Sequence, residues 1–120
     1  LSQLSAYHAD CQFVVGEDME QVLTLSDGLA HATPTGMAEP PGAPLDVNLP
    51  EARYWVAEIV YFPLETELLR IARERGCRVL NGGGMAVHQA VGAFELFSGV
   101  TPDVERMIRH FQSLGEGGGI

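Results

Sequence analysis

The stretch Trp55-Val56-Ala57-Glu58-Ile59-Val60-Tyr61 decides the fold of this 120-residue chain. It is rich in β-branched and aromatic residues and is followed by Pro63, which predicts a strand that ends there. The pattern of Glu65–Arg75 predicts a helix, closed by Gly76 in a left-handed position. Arg78–Leu80 then reads as another short strand. Because strands alternate with helices, we predict an α/β fold with a parallel sheet.

The same alternation extends toward the amino terminus. Gly28–Thr33 is predicted to be a strand, preceded by a helix from Glu17 to Leu25 and by a buried strand at Gln12–Val15. Leu1–His8 is periodic enough to be the end of a helix. Pro34–Pro50 contains five prolines and two glycines, which predicts a loop.

Two helices are predicted toward the carboxyl terminus. The first follows Gly82-Gly83-Gly84 and runs to Phe97; it is apolar nearly all round, which predicts burial. The second has Thr101 as N-cap and one apolar face, formed by Val104, Met107, Ile108 and Phe111. Residues 115–120 are expected to be a flexible tail. No internal repeat is present, so residues 1–120 are predicted to be one domain or a piece of one.

Composition and charge exclude several classes of function. The formal net charge is −9, which would repel a phosphate backbone and argues against nucleic-acid binding. No stretch approaches the ~20 apolar residues of a membrane-spanning helix, and the start does not resemble a signal peptide. Cys11 and Cys77 are far apart and lack metal-site spacing, so we interpret them as reduced, small apolar residues. These features together predict a cytoplasmic protein.

Residues able to carry out catalysis are scarce. The chain contains seven basic residues, all of them arginine, and no lysine. Its four histidines have no carboxylate or cysteine nearby in sequence at ligand spacing, and we interpret them as ordinary surface or packing residues. No nucleophile elbow or phosphate-binding loop of the Walker type is present. We therefore predict no catalytic residue and no metal site in this chain.

Two predicted strand ends carry side chains that could contact a ligand, because open α/β sheets bind ligands beyond the carboxyl ends of their strands. Thr33 follows one strand, although the Pro-Thr-Gly sequence around Gly36 is favoured as a simple turn. Ile59 and Tyr61 lie on one face at the end of the other strand. The hydroxyl of Tyr61 could bind a polyol, or its ring could be half buried in the core.

The glycine run before the long helix is the third such place. Three glycines would let another backbone or a flat ligand approach closely, although the run lacks the spacing of a dinucleotide fingerprint. Met85 and Gln89 are four residues apart and share a helix face. The amide of Gln89, on an otherwise apolar helix, needs a partner, which could be the protein backbone or a ligand hydroxyl.

Taken in order, three motifs resemble those of the shikimate dehydrogenase family. They are Ala-Thr-Pro-Thr-Gly-Met at 32–37, Tyr-Phe-Pro-Leu-Glu-Thr-Glu-Leu-Leu at 61–69, and Gly-Gly-Gly-Met-Ala-Val-His-Gln-Ala at 82–90. The resemblance covers roughly residues 27–111. The sequence around Pro63 is most similar to that of the quinate/shikimate branch of the family.

The resemblance implies an NAD- or NADP-dependent enzyme that interconverts a ring hydroxyl and a ketone of shikimate or quinate. It implies that Tyr61 and Gln89 contact this small-molecule substrate. The residues it places near the cofactor are Thr33, Ile59, Gly82 and Met85. Three positions depart from the family pattern: His31 stands where Asn is usual, Glu58 where Asp is usual, and Asn81 where Asp is usual.

The resemblance also implies a Rossmann-type domain of which this chain holds only the carboxyl-terminal part. The family's catalytic lysine lies in an amino-terminal substrate domain, and its glycine-rich loop and strands 1 and 2 have no counterpart here. We therefore expect the complete parent to be the dehydrogenase and the chain alone to be inactive and prone to self-association, with a homo-oligomer as one expected form. The alternatives are a non-catalytic ligand- or partner-binding remnant of the family, or an enzyme for a related substrate such as aminoshikimate.

Overall fold

The computed structural model describes residues 15–37, 41–46, 48 and 50–116. Three parallel strands form one sheet in the order β1-β2-β3, with one helix before the first strand, one between the second and third, and two after the third, which confirms the predicted fold class. The elements in chain order are α1 (Met19–Thr24), β1 (Gly28–His31), β2 (Trp55–Glu58), α2 (Glu67–Glu74), β3 (Arg78–Leu80), α3 (Gly83–Ser98) and α4 (Val104–Glu116).

The central strand β2 is shorter than predicted, because it ends at Glu58 rather than at Tyr61. The amide of Val60 donates to the carboxyl group of Glu58 at 3.1 Å. In a longer strand this amide would instead donate to the backbone of a neighbouring strand. Strand β1 likewise ends at His31, two residues before the predicted end at Thr33. His31 and Glu58 are register partners at the ends of the two strands.

The core lies where α2 packs against the sheet. Leu68 and Leu69 are fully buried, together with Val56 and Tyr54. Helix α2 starts at Glu67, two residues later than predicted, because the hydroxyl of Thr66 is the N-cap and accepts the amide of Leu69 at 3.3 Å. The predicted left-handed glycine after this helix is confirmed.

Cys77 is buried beside this core, and its thiol donates to the carbonyl of Glu51 at 3.0 Å. Burial raises the pKa of the Cys77 thiol, because the thiolate would lose its hydration. The residue therefore behaves as the small apolar group that its sequence context predicts. Cys11 lies outside the described residues.

The prediction that α3 is buried is wrong for most of its length. Gly83 and Val87 are buried near its start, whereas Leu96 and Phe97 are 81% and 87% exposed. In the described part of the chain, α4 is the main packing partner of α3. Because its apolar residues surround the helix, one neighbour leaves the opposite side uncovered.

The ends of the other helices also differ from the predictions. Asp18 is the N-cap of α1, which ends at Thr24, one residue before the predicted end. At the start of α4, Asp103 rather than Thr101 accepts the amide of Arg106, at 2.9 Å. Helix α4 continues through Glu116, so the first two residues of the predicted tail are helical.

Several predictions fall on residues that are not described. The helix end at 1–8, the strand residues 12–14 and the tail residues 117–120 lie outside the described ranges. Val15, the last residue of that predicted strand, is exposed and belongs to no strand. Within the described ranges, none of the helices has the length and apolar character needed to cross a membrane.

Candidate functional site

A groove lies beyond the carboxyl ends of β1 and β2, with a volume of about 410 Å³. Its walls are mostly apolar, and the hydroxyls of Thr33 and Tyr61 are the polar side-chain groups among its lining residues. The structure thus brings Thr33 and Ile59 together, two residues that the sequence analysis placed near one cofactor. The residues lining this cavity, here named the strand-end groove, are Ala32, Thr33, Pro34, Met37, Ile59, Val60, Tyr61 and Phe62.

A second cavity of about 360 Å³ lies between Tyr61 and the two carboxyl-terminal helices. Tyr61 and Gln89 both line it, so the pair assigned to substrate by the resemblance shares one space. The ring of Tyr61 packs against Phe111 with centroids 6.4 Å apart. The remaining lining residues of this cavity, here named the helix cavity, are Ala86, Val87, Ala90, Met107, His110, Phe111 and Leu114.

Tyr61 lines both cavities and therefore joins them. Tyr61 is 47% exposed. This exposure is compatible with both interpretations made from the sequence, a half-buried ring and a hydroxyl available to a ligand. Gln89 is exposed rather than buried, and its amide forms no hydrogen bond with the described residues. The premise of a buried amide, from which we expected a backbone or ligand partner for Gln89, is therefore wrong, and solvent or a ligand can reach the side chain.

Gly82 and Met85 are not brought into either cavity. Gly82 is buried, and a Cβ built on it would lie 2.5 Å from the carbonyl oxygen of Ile59 and 2.8 Å from that of Val60. The glycine therefore allows the turn between β3 and α3 to lie directly on the backbone that ends β2. Met85 is half buried in the first turn of α3. Contact of these two residues with a cofactor stays a prediction.

Buried polar side chains between the ends of β1 and β2 form a cluster that the sequence analysis missed. The Nδ1 atom of His31 lies 2.8 Å from Oε1 of Glu58, and its Nε2 atom lies 2.5 Å from the hydroxyl of Thr33. The hydroxyl of Thr66 donates to Oε2 of Glu58 at 3.1 Å. His31 is thus a buried packing residue, and its carboxylate partner was not indicated by the sequence spacing.

Sequence spacing hid this contact, because the two residues are 27 positions apart. The available signal was that His31 and Glu58 each lie near the end of a predicted parallel strand, and the carboxyl ends of adjacent parallel strands meet at one sheet edge. Within the described residues, no group of three or more histidine, cysteine or acidic side chains could hold a metal ion.

Comparison with known proteins identifies relatives of this chain. Residues 82–110 match the family model described as the shikimate 5'-dehydrogenase C-terminal domain. The chain is 56% identical over 97 residues to a curated shikimate dehydrogenase (NADP(+)) of an Arthrobacter species, a match covering 81% of this chain and 33% of that protein. It is 50% identical over 104 residues to a quinate/shikimate dehydrogenase (NAD(+)) of Corynebacterium glutamicum, covering 84% and 37%.

Solved structures agree with these matches. Quinate dehydrogenase from Corynebacterium glutamicum in complex with NAD superposes with a TM-score of 0.73 at 49% identity, covering 79% of this chain and 34% of that one. Shikimate 5-dehydrogenase from Thermus thermophilus in complex with NADP(H) and shikimate gives 0.68 at 30% identity, covering 78% and 36%. The chain spans about a third of the length of these relatives. On this evidence the chain belongs to the shikimate dehydrogenase family, matching its carboxyl-terminal portion.

Proposed function

We propose that the chain supplies the carboxyl-terminal third of an NAD(P)-dependent dehydrogenase that interconverts a ring hydroxyl and a ketone of shikimate or quinate. The observation that carries this proposal is the identity of 50–56% to shikimate and quinate dehydrogenases across four fifths of the chain. "The complete enzyme" below means that full-length dehydrogenase, with these residues as its carboxyl-terminal part.

The strand-end groove has the chemistry to receive the nicotinamide end of a dinucleotide. Ile59 and Met37 offer apolar surface to a planar ring, and the hydroxyl of Thr33 can hydrogen-bond to a polar substituent or a ribose. When bound, the dinucleotide supplies the hydride acceptor or donor. The relatives named above use NADP in one branch and NAD in the other, so the proposal includes both cofactors.

The helix cavity is suited to the substrate side of the reaction. The amide of Gln89 offers both a donor and an acceptor, which suits a ring bearing several hydroxyls, and Tyr61 adds a hydroxyl where the two cavities meet. Both side chains orient the ring, and the amide of Gln89 is neither an acid nor a base in the reaction. A substrate in the helix cavity would therefore lie beside a ring in the strand-end groove.

The group that transfers the proton is proposed to lie outside this chain. The resemblance assigns that role to a lysine, and the sequence contains none. The chain therefore positions substrate and cofactor, while the acid/base comes from the other part of the complete enzyme. The acidic character of the chain supports an enzyme acting on small molecules rather than nucleic acid, and a cytoplasmic location is part of this proposal.

Substituting alanine for Gln89 in the complete enzyme is expected to lower kcat/KM for shikimate or quinate by a factor equivalent to about 1–3 kcal/mol, because the ring loses hydrogen bonds to the amide. Tyr61→Phe should act in the same direction by less, since one hydroxyl is lost and the ring is kept. The measurement is steady-state kinetics at saturating cofactor, followed by the KM for the cofactor at saturating substrate.

Gln21→Ala is the matched control, because Gln21 is exposed on α1 and lines neither cavity. It should leave both kinetic constants unchanged. An equal change in the cofactor and substrate constants of Gln89→Ala, or a loss of stability with normal kinetics, would assign Gln89 a structural role instead.

A further inference from the structure

The buried cluster of His31, Glu58 and Thr66 has no part in the function proposed so far. The three residues are 5%, 3% and 1% exposed, and none of them lines the strand-end groove or the helix cavity. One partner of the cluster, Thr33, does line the strand-end groove. Through Thr33 the cluster can act on whatever binds there.

Counting hydrogens fixes the arrangement inside the cluster. Glu58 receives hydrogen bonds from His31, from the amide of Val60 and from the hydroxyl of Thr66. A carboxylate only accepts, so Nδ1 of His31 must carry a hydrogen and donate it. In the neutral imidazole the other nitrogen, Nε2, then has a free lone pair and must accept. When the imidazole is neutral, the hydroxyl of Thr33 therefore donates its hydrogen inward to Nε2 and presents its lone pairs to the groove.

The same carboxyl group is tied to the opposite wall of the groove. Val60, whose amide it accepts at 3.1 Å, lines the strand-end groove between Ile59 and Tyr61. Thr33 lies two residues beyond the end of β1, and Val60 lies two residues beyond the end of β2. One pair of buried side chains thus connects the two walls of the groove.

Resting on the function proposed above, we propose that His31 and Glu58 are positioning residues for the cofactor: Glu58 sets the tautomer of His31, and His31 holds the hydroxyl of Thr33 as an acceptor toward the groove. The ligand group that such a wall favours is a hydrogen-bond donor, such as an amide N–H or a ribose hydroxyl. His31 and Glu58 both differ from the family pattern described above, and in the structure these two side chains are hydrogen-bonded to each other.

The test is a double-substitution cycle in the complete enzyme with His31→Asn, Thr33→Val and the two combined. Asparagine is shorter than histidine: its amide can still donate to Glu58, but no atom takes the place of Nε2. His31→Asn should raise the KM for NAD(P) about three- to ten-fold, the size of one lost hydrogen bond, with kcat and the substrate KM little changed. Thr33→Val should raise it similarly.

The combined variant should be no worse than Thr33→Val alone, because His31 acts through that hydroxyl. Thr33→Ser keeps the hydroxyl and should retain the normal KM. His88→Asn, the same change at an exposed position of α3, is the control and should have no effect. Two results would overturn the proposal. One is a combined variant whose cofactor KM rises by the product of the His31→Asn and Thr33→Val effects, and the other is an unchanged cofactor KM in His31→Asn.

A measurement on the unsubstituted side chain covers the case in which His31→Asn fails to fold. The ¹⁵N resonances of the His31 ring should show a protonated Nδ1 and an unprotonated Nε2, and Thr33→Val, at an exposed position, should shift only the Nε2 resonance. The opposite tautomer would refute the positioning role. A complete enzyme that uses no NAD(P) would refute the proposed function instead, whereas normal activity with a multiplicative cycle would refute only the inference about His31.

Discussion

Substituting alanine for Gly82 is expected to destabilise the complete enzyme by about 3 kcal/mol, at the upper end of the usual cost of overpacking. The added methyl group would lie 2.5 Å and 2.8 Å from two carbonyl oxygens, and backbone atoms at the end of β2 cannot move aside as a flexible side chain can. The backbone of Gly82 has a φ of −74°, which any residue adopts, so the cost is steric. In thermal unfolding, this loss corresponds to a midpoint about 6–12 °C lower.

Gly84→Ala is the matched control for this experiment. Gly84 belongs to the same glycine run, but a Cβ built there meets no atom within 4 Å. Because it lies inside α3, alanine should be neutral or stabilise by up to about 1 kcal/mol. Equal midpoints for Gly82→Ala and the unsubstituted protein would show that the close approach of the turn to β2 is not part of the folded structure.

Removing the carboxyl group of Glu58 is expected to destabilise the protein by about 3 kcal/mol or more, because three buried donors would each lose their acceptor at a cost of about 1–3 kcal/mol. In Glu58→Ala the ring of His31, the amide of Val60 and the hydroxyl of Thr66 would each lose an acceptor while remaining buried. Glu58→Gln keeps the shape and one acceptor oxygen, so it should lie between alanine and the unsubstituted protein.

Glu74→Ala provides the control for removing one negative charge. Glu74 is exposed on α2 and pairs with Arg70 at a spacing of four residues. Exposed pairs of this kind contribute only about 0.3–0.5 kcal/mol, so the unfolding midpoint should barely change. A Glu58→Ala protein as stable as Glu74→Ala would mean that the buried cluster does not form.

Local patterns in the sequence were sufficient for the elements around the sheet. The strand at Arg78–Leu80 and the left-handed Gly76 were predicted correctly, because each depends on a few neighbouring residues. The errors occur where a side chain competes with the backbone. Glu58 ends β2 early by accepting the amide of Val60, and Asp103 replaces Thr101 as N-cap although both residue types suit that position.

Burial was harder to predict than secondary structure. The composition of α3 indicates that it avoids water, but a helix that is apolar on all sides does not reveal which side has a neighbour. In the part of the chain that the structure describes, α4 covers one side and leaves Phe97 exposed. The isolated chain is therefore expected to self-associate through this surface.

Part of the site followed from a single rule about parallel sheets. Because strand ends meet at one edge, Tyr61 and Gln89 could be expected to share a space, and both line the helix cavity. Gly82 shows the limit of that rule. It also follows a strand end, but a Cβ at this position would meet backbone carbonyl oxygens of Ile59 and Val60 and not the space of either cavity. The contact of His31 with Glu58 required the strand register, which sequence alone does not provide.

The central claim is that these residues form the cofactor- and substrate-facing part of a shikimate or quinate dehydrogenase. The most direct test is the absorbance of NADH or NADPH at about 340 nm, followed with each substrate and each cofactor, for the complete enzyme and for the 120-residue chain side by side. We expect reduction of NAD or NADP by the complete enzyme with shikimate or quinate, and none by the chain alone, which has no lysine to transfer the proton. Failure of the complete enzyme with both substrates and both cofactors, or turnover by the chain alone, would contradict it.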